Sequence, residues 1–151
     1  MRAAATELAE HFDVGAELWS ATSYKRLRED ALATVRWNRL HPSQPARTSL
    51  VGELLGDGVG PIVAVSDFMK IVPEQIARFV PHRMFVPLGT DGMGRSDTRE
   101  ALRAHFEIDT GNVVVAVLSA LFAQGEVKEE TVNDAIRRFG LDTEAPDPRN
   151  A

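Results

Sequence analysis

Residues 84–102 constrain the possible fold more than any other part of this sequence. A short apolar run ends at Pro87, three glycines follow, and a helical pattern then begins. This order predicts a strand, a tight loop and a helix, with Asp97 as the helix N-cap and Glu100 closing a capping box. Such a loop would bring polar side chains to one edge of a sheet, where ligands and partner domains meet open α/β proteins. These side chains are Thr90, Asp91, Arg95 and Asp97. The same glycines and cap would also build an ordinary compact turn, and the pattern alone leaves both interpretations open.

Helical and strand patterns alternate along the rest of the chain. We predict helices over residues 1–12, from Thr22 or Ser23 onward, from Thr48 or Ser49 to Leu55, from Pro73 onward, over 113–123 after a cap at Asp109 or Thr110, and over 132–139. Strands are predicted at 16–20, 61–65 and 84–86. The run at 61–65 is continuously apolar, which is typical of an interior strand of a parallel sheet. The alternation predicts a layered α/β domain. Three strands are few for such a sheet, which suggests that this chain is part of a larger protein.

Composition narrows the class of protein. With 151 residues, 44% of them hydrophobic, the chain can bury a core as one domain over 1–151, with a mobile, proline-bearing tail at 141–151. A net charge of -5 argues against a nucleic acid partner. The chain has no cysteine, which removes disulfides and thiolate sites and is compatible with a cytoplasmic location. The most apolar stretch, 113–123, is too short to span a bilayer, so we expect no membrane association.

No motif in the sequence supports catalysis or cofactor binding by this chain. Gly56-Asp57-Gly58 resembles the start of the motif that holds magnesium and thiamine diphosphate, but Asn112 and Asn133, the next asparagines, are isolated and lie in helical patterns. A plain turn explains its glycines. The four histidines lack metal-ligand spacing, and the glycines after residue 88 match neither dinucleotide nor phosphate motifs. We therefore assign no catalytic, cofactor-binding or metal-ligating residue.

Two acidic strand ends are predicted to lie side by side. Asp67 and Lys70 follow the apolar run at 61–65 just as Asp91 follows the next strand. Lys70 and Arg95 could neutralise neighbouring carboxylates across an interface as readily as contact a substrate. The candidate interface residues are Asp67, Lys70, Asp91, Arg95, Asp97 and His105.

Four segments together resemble one family closely. They are Trp37-Asn38-Arg39-Leu40-His41-Pro42, Ala64-Val65-Ser66-Asp67-Phe68-Met69-Lys70, the stretch from Leu88 to Glu100 that contains Gly89-Thr90-Asp91-Gly92-Met93-Gly94-Arg95-Ser96-Asp97, and His105-Phe106. In this order they resemble the C-terminal domain of the homodimeric, thiamine-dependent pyruvate dehydrogenase (acetyl-transferring) component of bacterial pyruvate dehydrogenase complexes. Met93 stands where that family would have an aromatic residue.

The resemblance implies a transketolase C-terminal-like fold, a three-layer α/β/α sandwich on a mostly parallel, mixed five-stranded sheet whose first strand is missing here. It also implies a parent enzyme that decarboxylates pyruvate on thiamine diphosphate with magnesium and acetylates the lipoyl group of dihydrolipoyl acetyltransferase. The residues that do this chemistry lie in other domains of the family. This domain would have a structural and interface role, contacting those domains and the second subunit of the homodimer, and would be inactive alone.

Two other interpretations remain open from the sequence. The chain could be a free-standing α/β binding or regulatory module that uses the edge at Asp67 and Asp91. It could also belong to another thiamine enzyme of the transketolase type, although the segments at 37–42 and 66–70 favour the pyruvate enzyme.

Overall fold

The computed structural model describes residues 1–150 and consists of helices around a small parallel sheet. In chain order the elements are α1 (Arg2–Phe12), α2 (Tyr24–Leu40), α3 (Leu50–Leu55), β1 (Ile62–Val65), α4 (Ile71–Glu74), a 3-10 turn (Ala77–Phe79), β2 (Phe85–Leu88), α5 (Arg99–His105), α6 (Thr110–Ala123) and α7 (Glu129–Phe139). The predicted α/β class is confirmed.

Side-chain caps decide where several helices begin. Ser23, Ser49 and Asp109 each accept a hydrogen bond from a backbone N–H in the first turn of α2, α3 and α6. Such caps satisfy donors that the helix itself leaves unpaired. In each case one of the two residues proposed from the sequence is the cap. The helices predicted at 1–12 and 113–123 are likewise confirmed.

The sheet is a parallel pair, with Ile62 opposite Phe85 and Val65 opposite Leu88. The predicted pairing is confirmed, but the interior position of the first strand is wrong, because β1 has only β2 beside it among residues 1–150. The sheet is therefore smaller than the five strands that the resemblance implies.

The strand predicted at 16–20 is also wrong. Asp13 adopts a left-handed conformation, with φ 55°, and ends α1, after which Val14 is half-buried and residues 15–21 are exposed. Leu18 and Trp19 are 45% and 53% exposed, so their β propensity has no packing surface to act on.

Pro73 was predicted to occupy the first position of its helix and instead is the third residue of α4. The helix begins earlier because the backbone N–H of Lys70, its N-cap residue, is held by Asp91. Helical structure then stops at Glu74 and resumes as the 3-10 turn, so the helix predicted from Pro73 onward is short and interrupted.

Two hydrophobic clusters form the core. The larger joins α1 to α6 and α7 through Ala4, Leu8, Val113, Val114, Leu118 and Ala135. The smaller joins α2 and α3 to the segment before β2 through Ala31, Val51, Ile76 and Val80. The sheet lies between them, because Val65 and Leu88 pack on the first cluster while Ile62 and Phe85 pack on the second.

By length and composition alone, the stretch Arg99–Ala123 could cross a membrane, with a mean hydropathy of 1.5. It is not one regular helix, since Glu107 takes a left-handed φ of 57° between α5 and α6. Val113, Val114 and Leu118 are at most 1% exposed within the larger cluster. The apolar character of this stretch is that of a core helix in a folded domain.

Candidate functional site: the carboxyl end of the sheet

The loop after β1 is fixed by hydrogen bonds to the loop after β2. The Lys70 N–H donates to Asp91 Oδ1 at 2.9 Å, and the Thr90 hydroxyl donates to the Asp67 carbonyl at 2.9 Å. The Thr90 N–H donates to the Phe68 carbonyl, also at 2.9 Å. Asp67, Lys70 and Asp91 are therefore brought together, as the sequence predicted.

These bonds give Asp91 an internal role. Its carboxylate accepts from a backbone N–H of the neighbouring loop, which is a stabilising charge-assisted hydrogen bond. Asp67 enters the network through its main-chain carbonyl, and its residue is exposed. The acidic edge therefore serves in part to hold the loops after β1 and β2 together.

Gly89 allows the two loops to approach so closely. A Cβ at this position would lie 2.3 Å from the Phe68 carbonyl oxygen and 2.8 Å from the Lys70 backbone nitrogen. Backbone atoms cannot move aside as a flexible side chain can. The glycine is therefore required by contact with the opposite loop.

Arg95, Asp97 and His105 form a second group, in the loop after β2 and at the end of α5. Together with Ser96, Ala101 and Leu102 they line an open cavity of about 370 Å³. The His105 Nε2 atom is buried and has no hydrogen-bond partner among the described residues, while its ring packs edge-on against Phe106. Arg95 and Asp97 are exposed.

The predicted cap of α5 is wrong by one residue. Thr98, not Asp97, is the N-cap, and its hydroxyl accepts from the Ala101 N–H at 3.2 Å. Asp97 instead accepts from the Thr98 N–H at 2.7 Å. A capping box needs a Glu or Gln three residues after the N-cap. With Thr98 as the N-cap that position is Ala101, which has no side-chain acceptor, so the predicted box with Glu100 does not form.

The C-terminal segment reaches this edge, which sequence analysis did not foresee. Pro148 is buried, and a Cβ on Gly92, whose φ is 106°, would lie 2.6 Å from the Pro148 carbonyl oxygen. The adjacent Arg149 guanidinium pairs with Asp147 and, with the Arg149 N–H, lowers the pKa of that carboxyl to about 2. Asp147 is therefore ionised at neutral pH. No local sequence pattern predicts this contact, because Gly92 and Pro148 lie far apart in the sequence.

The Gly56-Asp57-Gly58 triplet, which resembles the start of a cofactor motif, forms a turn that is held by Arg83. The Arg83 guanidinium donates to the Gly60 carbonyl at 2.7 Å and to the Leu55 carbonyl at 2.9 Å. A Cβ on Gly58 would lie 2.3 Å from the same guanidinium, and Asp57 is exposed. Residues 1–150 contain no group of three metal-ligating side chains.

The segment at 37–42 forms an aromatic stack at the end of α2. The Trp37 and His41 rings lie 4.3 Å apart and nearly parallel, and the Arg47 guanidinium sits 3.7 Å from the Trp37 ring centroid. Asn38 exchanges two hydrogen bonds with the Arg47 backbone. These contacts hold the proline-bearing loop that follows α2 against the end of that helix.

A family model described as the transketolase-like TK C-terminal domain matches residues 1–109. The chain belongs to this family. All six candidate interface residues lie within the matched part of this transketolase-like domain.

Several relatives share one name, pyruvate dehydrogenase E1 component. The protein of Pseudomonas aeruginosa is 46% identical over 96% of this chain, and that of Escherichia coli K12 is 42% identical over all of it. The protein of Mycolicibacterium smegmatis is 44% identical over 92% of it. The chain spans 16%, 17% and 15% of the lengths of these relatives, respectively. The resemblance to the pyruvate dehydrogenase family is thereby confirmed.

Proposed function

We propose that this transketolase-like domain is the C-terminal part of a pyruvate dehydrogenase component that decarboxylates pyruvate oxidatively and acetylates the lipoyl group of dihydrolipoyl acetyltransferase. The observation that carries the proposal is 46% identity over 96% of the chain to a protein named pyruvate dehydrogenase E1 component. The parent would be a cytoplasmic homodimer. Its thiamine diphosphate would supply the carbanion-stabilising chemistry, with magnesium holding the diphosphate.

Within this parent, the domain would serve assembly rather than chemistry. The residues present do not fit the cofactor, because Gly56-Asp57-Gly58 lacks its downstream Asn pair and the described residues contain no cluster of three His, Cys, Asp or Glu side chains that could hold a metal ion. The two loops at the strand ends are instead joined by hydrogen bonds between Lys70 and Asp91 and between Asp67 and Thr90, and the loop after β2 continues to an exposed guanidinium at Arg95. We propose that this edge contacts other domains or the second subunit of the homodimer.

The isolated chain is expected neither to bind thiamine diphosphate tightly nor to decarboxylate pyruvate. Calorimetric titration with the cofactor and magnesium measures the first property. Gly56-Asp57-Gly58 has no paired Asn downstream, and Arg83 holds it as a turn through the Gly60 and Leu55 carbonyls. Micromolar binding that disappears in Asp57→Ala would show that the triplet is a cofactor site after all.

Arg95→Ala is expected to leave the melting temperature of the isolated domain nearly unchanged and to weaken assembly of the full-length enzyme. Arg95 is exposed and forms no ion pair within residues 1–150, so the domain loses little without it. In an interface its planar donors would be buried against carboxylates or carbonyls, and removing one partner of a buried pair costs about 3–5 kcal/mol. Sedimentation of the full-length protein measures the loss.

Thr98→Ala is the matched control for Arg95→Ala. It removes the N-cap of α5 and should lower the free energy of unfolding by about 1 kcal/mol both in the isolated domain and in the parent. If Arg95→Ala destabilises the isolated domain as much as the parent, Arg95 belongs to the scaffold and the interface proposal is wrong.

A further inference from the structure

The chain contains two Asp-Gly pairs, Asp57-Gly58 and Asp91-Gly92, and no Asn-Gly pair. An Asp-Gly pair is chemically labile, because glycine has no Cβ to shield its backbone nitrogen from the preceding carboxyl group. The two pairs are identical as dipeptides, so a difference in their reactivity has to come from the fold. The structure places them in opposite surroundings.

The Asp57-Gly58 pair is exposed and lies just beyond the end of α3. The last backbone hydrogen bond of that helix is donated by the Gly56 N–H to the Gly52 carbonyl at 2.8 Å. Within residues 1–150 the Asp57 carboxylate accepts no hydrogen bond and forms no ion pair. The Gly58 N–H likewise donates to no backbone carbonyl in this part of the chain. Both reacting groups are therefore free.

Arg83 holds the two ends of the turn that contains this pair. Its guanidinium donates to the Leu55 carbonyl at 2.9 Å and to the Gly60 carbonyl at 2.7 Å. Neither bond engages the peptide group that joins Asp57 to Gly58. Rotation of that peptide group therefore breaks no hydrogen bond of the described chain, although the turn keeps its place beside β1.

The Asp91-Gly92 pair is held at both of its residues. Asp91 Oδ1 accepts a hydrogen bond from the Lys70 N–H at 2.9 Å. Gly92 is packed against the C-terminal segment, where an added Cβ would lie 2.6 Å from the Pro148 carbonyl oxygen. For the Gly92 nitrogen to reach the Asp91 carboxyl carbon, the carboxylate has to leave Lys70 and the peptide group has to turn against Pro148. Reaction at this pair therefore requires local opening of the fold.

We propose that Asp57 is a site of spontaneous covalent modification, where the chain converts to isoaspartate while Asp91 stays unmodified. The Gly58 nitrogen loses its proton and bonds to Cγ of the protonated Asp57 carboxyl group, which expels its hydroxyl as water and closes a succinimide ring. Water then adds to the ring. Addition at Cγ restores aspartate, and addition at the main-chain carbonyl carbon breaks its bond to the Gly58 nitrogen and leaves isoaspartate. One water leaves and one returns, and the turn held by Arg83 gains one main-chain carbon.

The test compares the folded chain with the same chain in concentrated urea, where neither pair is held. Both samples are kept in mildly acidic buffer until isoaspartate at Asp91 is measurable in the unfolded chain, and peptide mapping by mass spectrometry quantifies isoaspartate at each pair. The two rates should agree within about twofold in urea. In the folded chain Asp57 should react at least about tenfold faster than Asp91, whose charged hydrogen bond has to break first. Equal rates in the folded chain, or no reaction at Asp57 there, would overturn the proposal.

A pair of conservative substitutions locates the reaction. Asp57→Glu keeps the charge but would have to close a larger and less favourable ring, so isoaspartate in the folded chain should fall to the background. The matched control is Asp97→Glu, because Asp97 is also exposed but precedes Thr98, whose Cβ shields the attacking nitrogen. This control should leave the amount of isoaspartate unchanged. Undiminished isoaspartate in Asp57→Glu would contradict the proposal, and neither result depends on the function proposed for the parent enzyme.

Discussion

Replacing Gly89 by alanine is expected to destabilise the domain by about 3 kcal/mol, the upper end of the usual cost of overpacking. The new methyl group would meet the Phe68 carbonyl oxygen at 2.3 Å and the Lys70 nitrogen at 2.8 Å, so the loops at the strand ends would have to separate. Separation breaks the hydrogen bond from the Thr90 N–H to Phe68. Thermal unfolding should show a loss of roughly 6–12 °C for a chain of this size.

Gly94→Ala is the control for this substitution, since it lies five residues further along in the same region. Nothing lies within 4 Å of a Cβ built on Gly94, and its φ is not in the left-handed region. The melting temperature of Gly94→Ala should stay near that of the unsubstituted chain. Equal effects of the two substitutions would mean that glycine flexibility, rather than contact between the loops, determines the behaviour of this edge.

Leu118→Ala is expected to lower the free energy of unfolding by about 2–5 kcal/mol. Leu118 is fully buried in α6, within the cluster that also contains Leu8 of α1 and Ala135 of α7. Truncation leaves a cavity between three helices, each fixed by its other contacts, so collapse around the site is limited. Chemical denaturation with a linear extrapolation measures the loss.

The neighbouring Ser119 provides the control for Leu118. It is exposed on the same helix, and Ser119→Ala should change the free energy of unfolding by no more than about 0.5 kcal/mol. A small effect of Leu118→Ala, comparable with that of Ser119→Ala, would contradict the placement of α6 at the centre of the larger cluster.

Local chemistry made part of this structure predictable. Ser23 and Asp109 are caps because a short polar side chain precedes a helical pattern, and that signal is complete within a few residues. The parallel pairing of β1 and β2 follows from two apolar runs separated by a helical crossover. These features depend little on the rest of the chain.

The errors arose where local signals compete or where the cause is distant. Asp97 and Thr98 are both good caps, and which of them begins α5 depends on backbone geometry that composition does not encode. Residues 16–20 have strand-like composition but no neighbouring strand in the described chain.

The candidate site shows the same division. The meeting of Asp67, Lys70 and Asp91 could be predicted, because parallel strands end at one edge. The contact of Pro148 with Gly92 could not be predicted, because it joins segments with no pattern in common. Neither could the internal role of Asp91 or the exposure of Phe68, since both depend on which way each loop faces.

The larger hydrophobic cluster also limits the order in which the domain can fold during synthesis. Leu8 is made more than a hundred residues before its partners Val113, Val114 and Leu118. At about 5–20 residues per second, α1 waits on the order of 5–20 s until that surface has been synthesised. The smaller cluster, whose members end at Val80, can close during this interval. Helix α1 is thus synthesised before every other described element and is among the last of them to be packed.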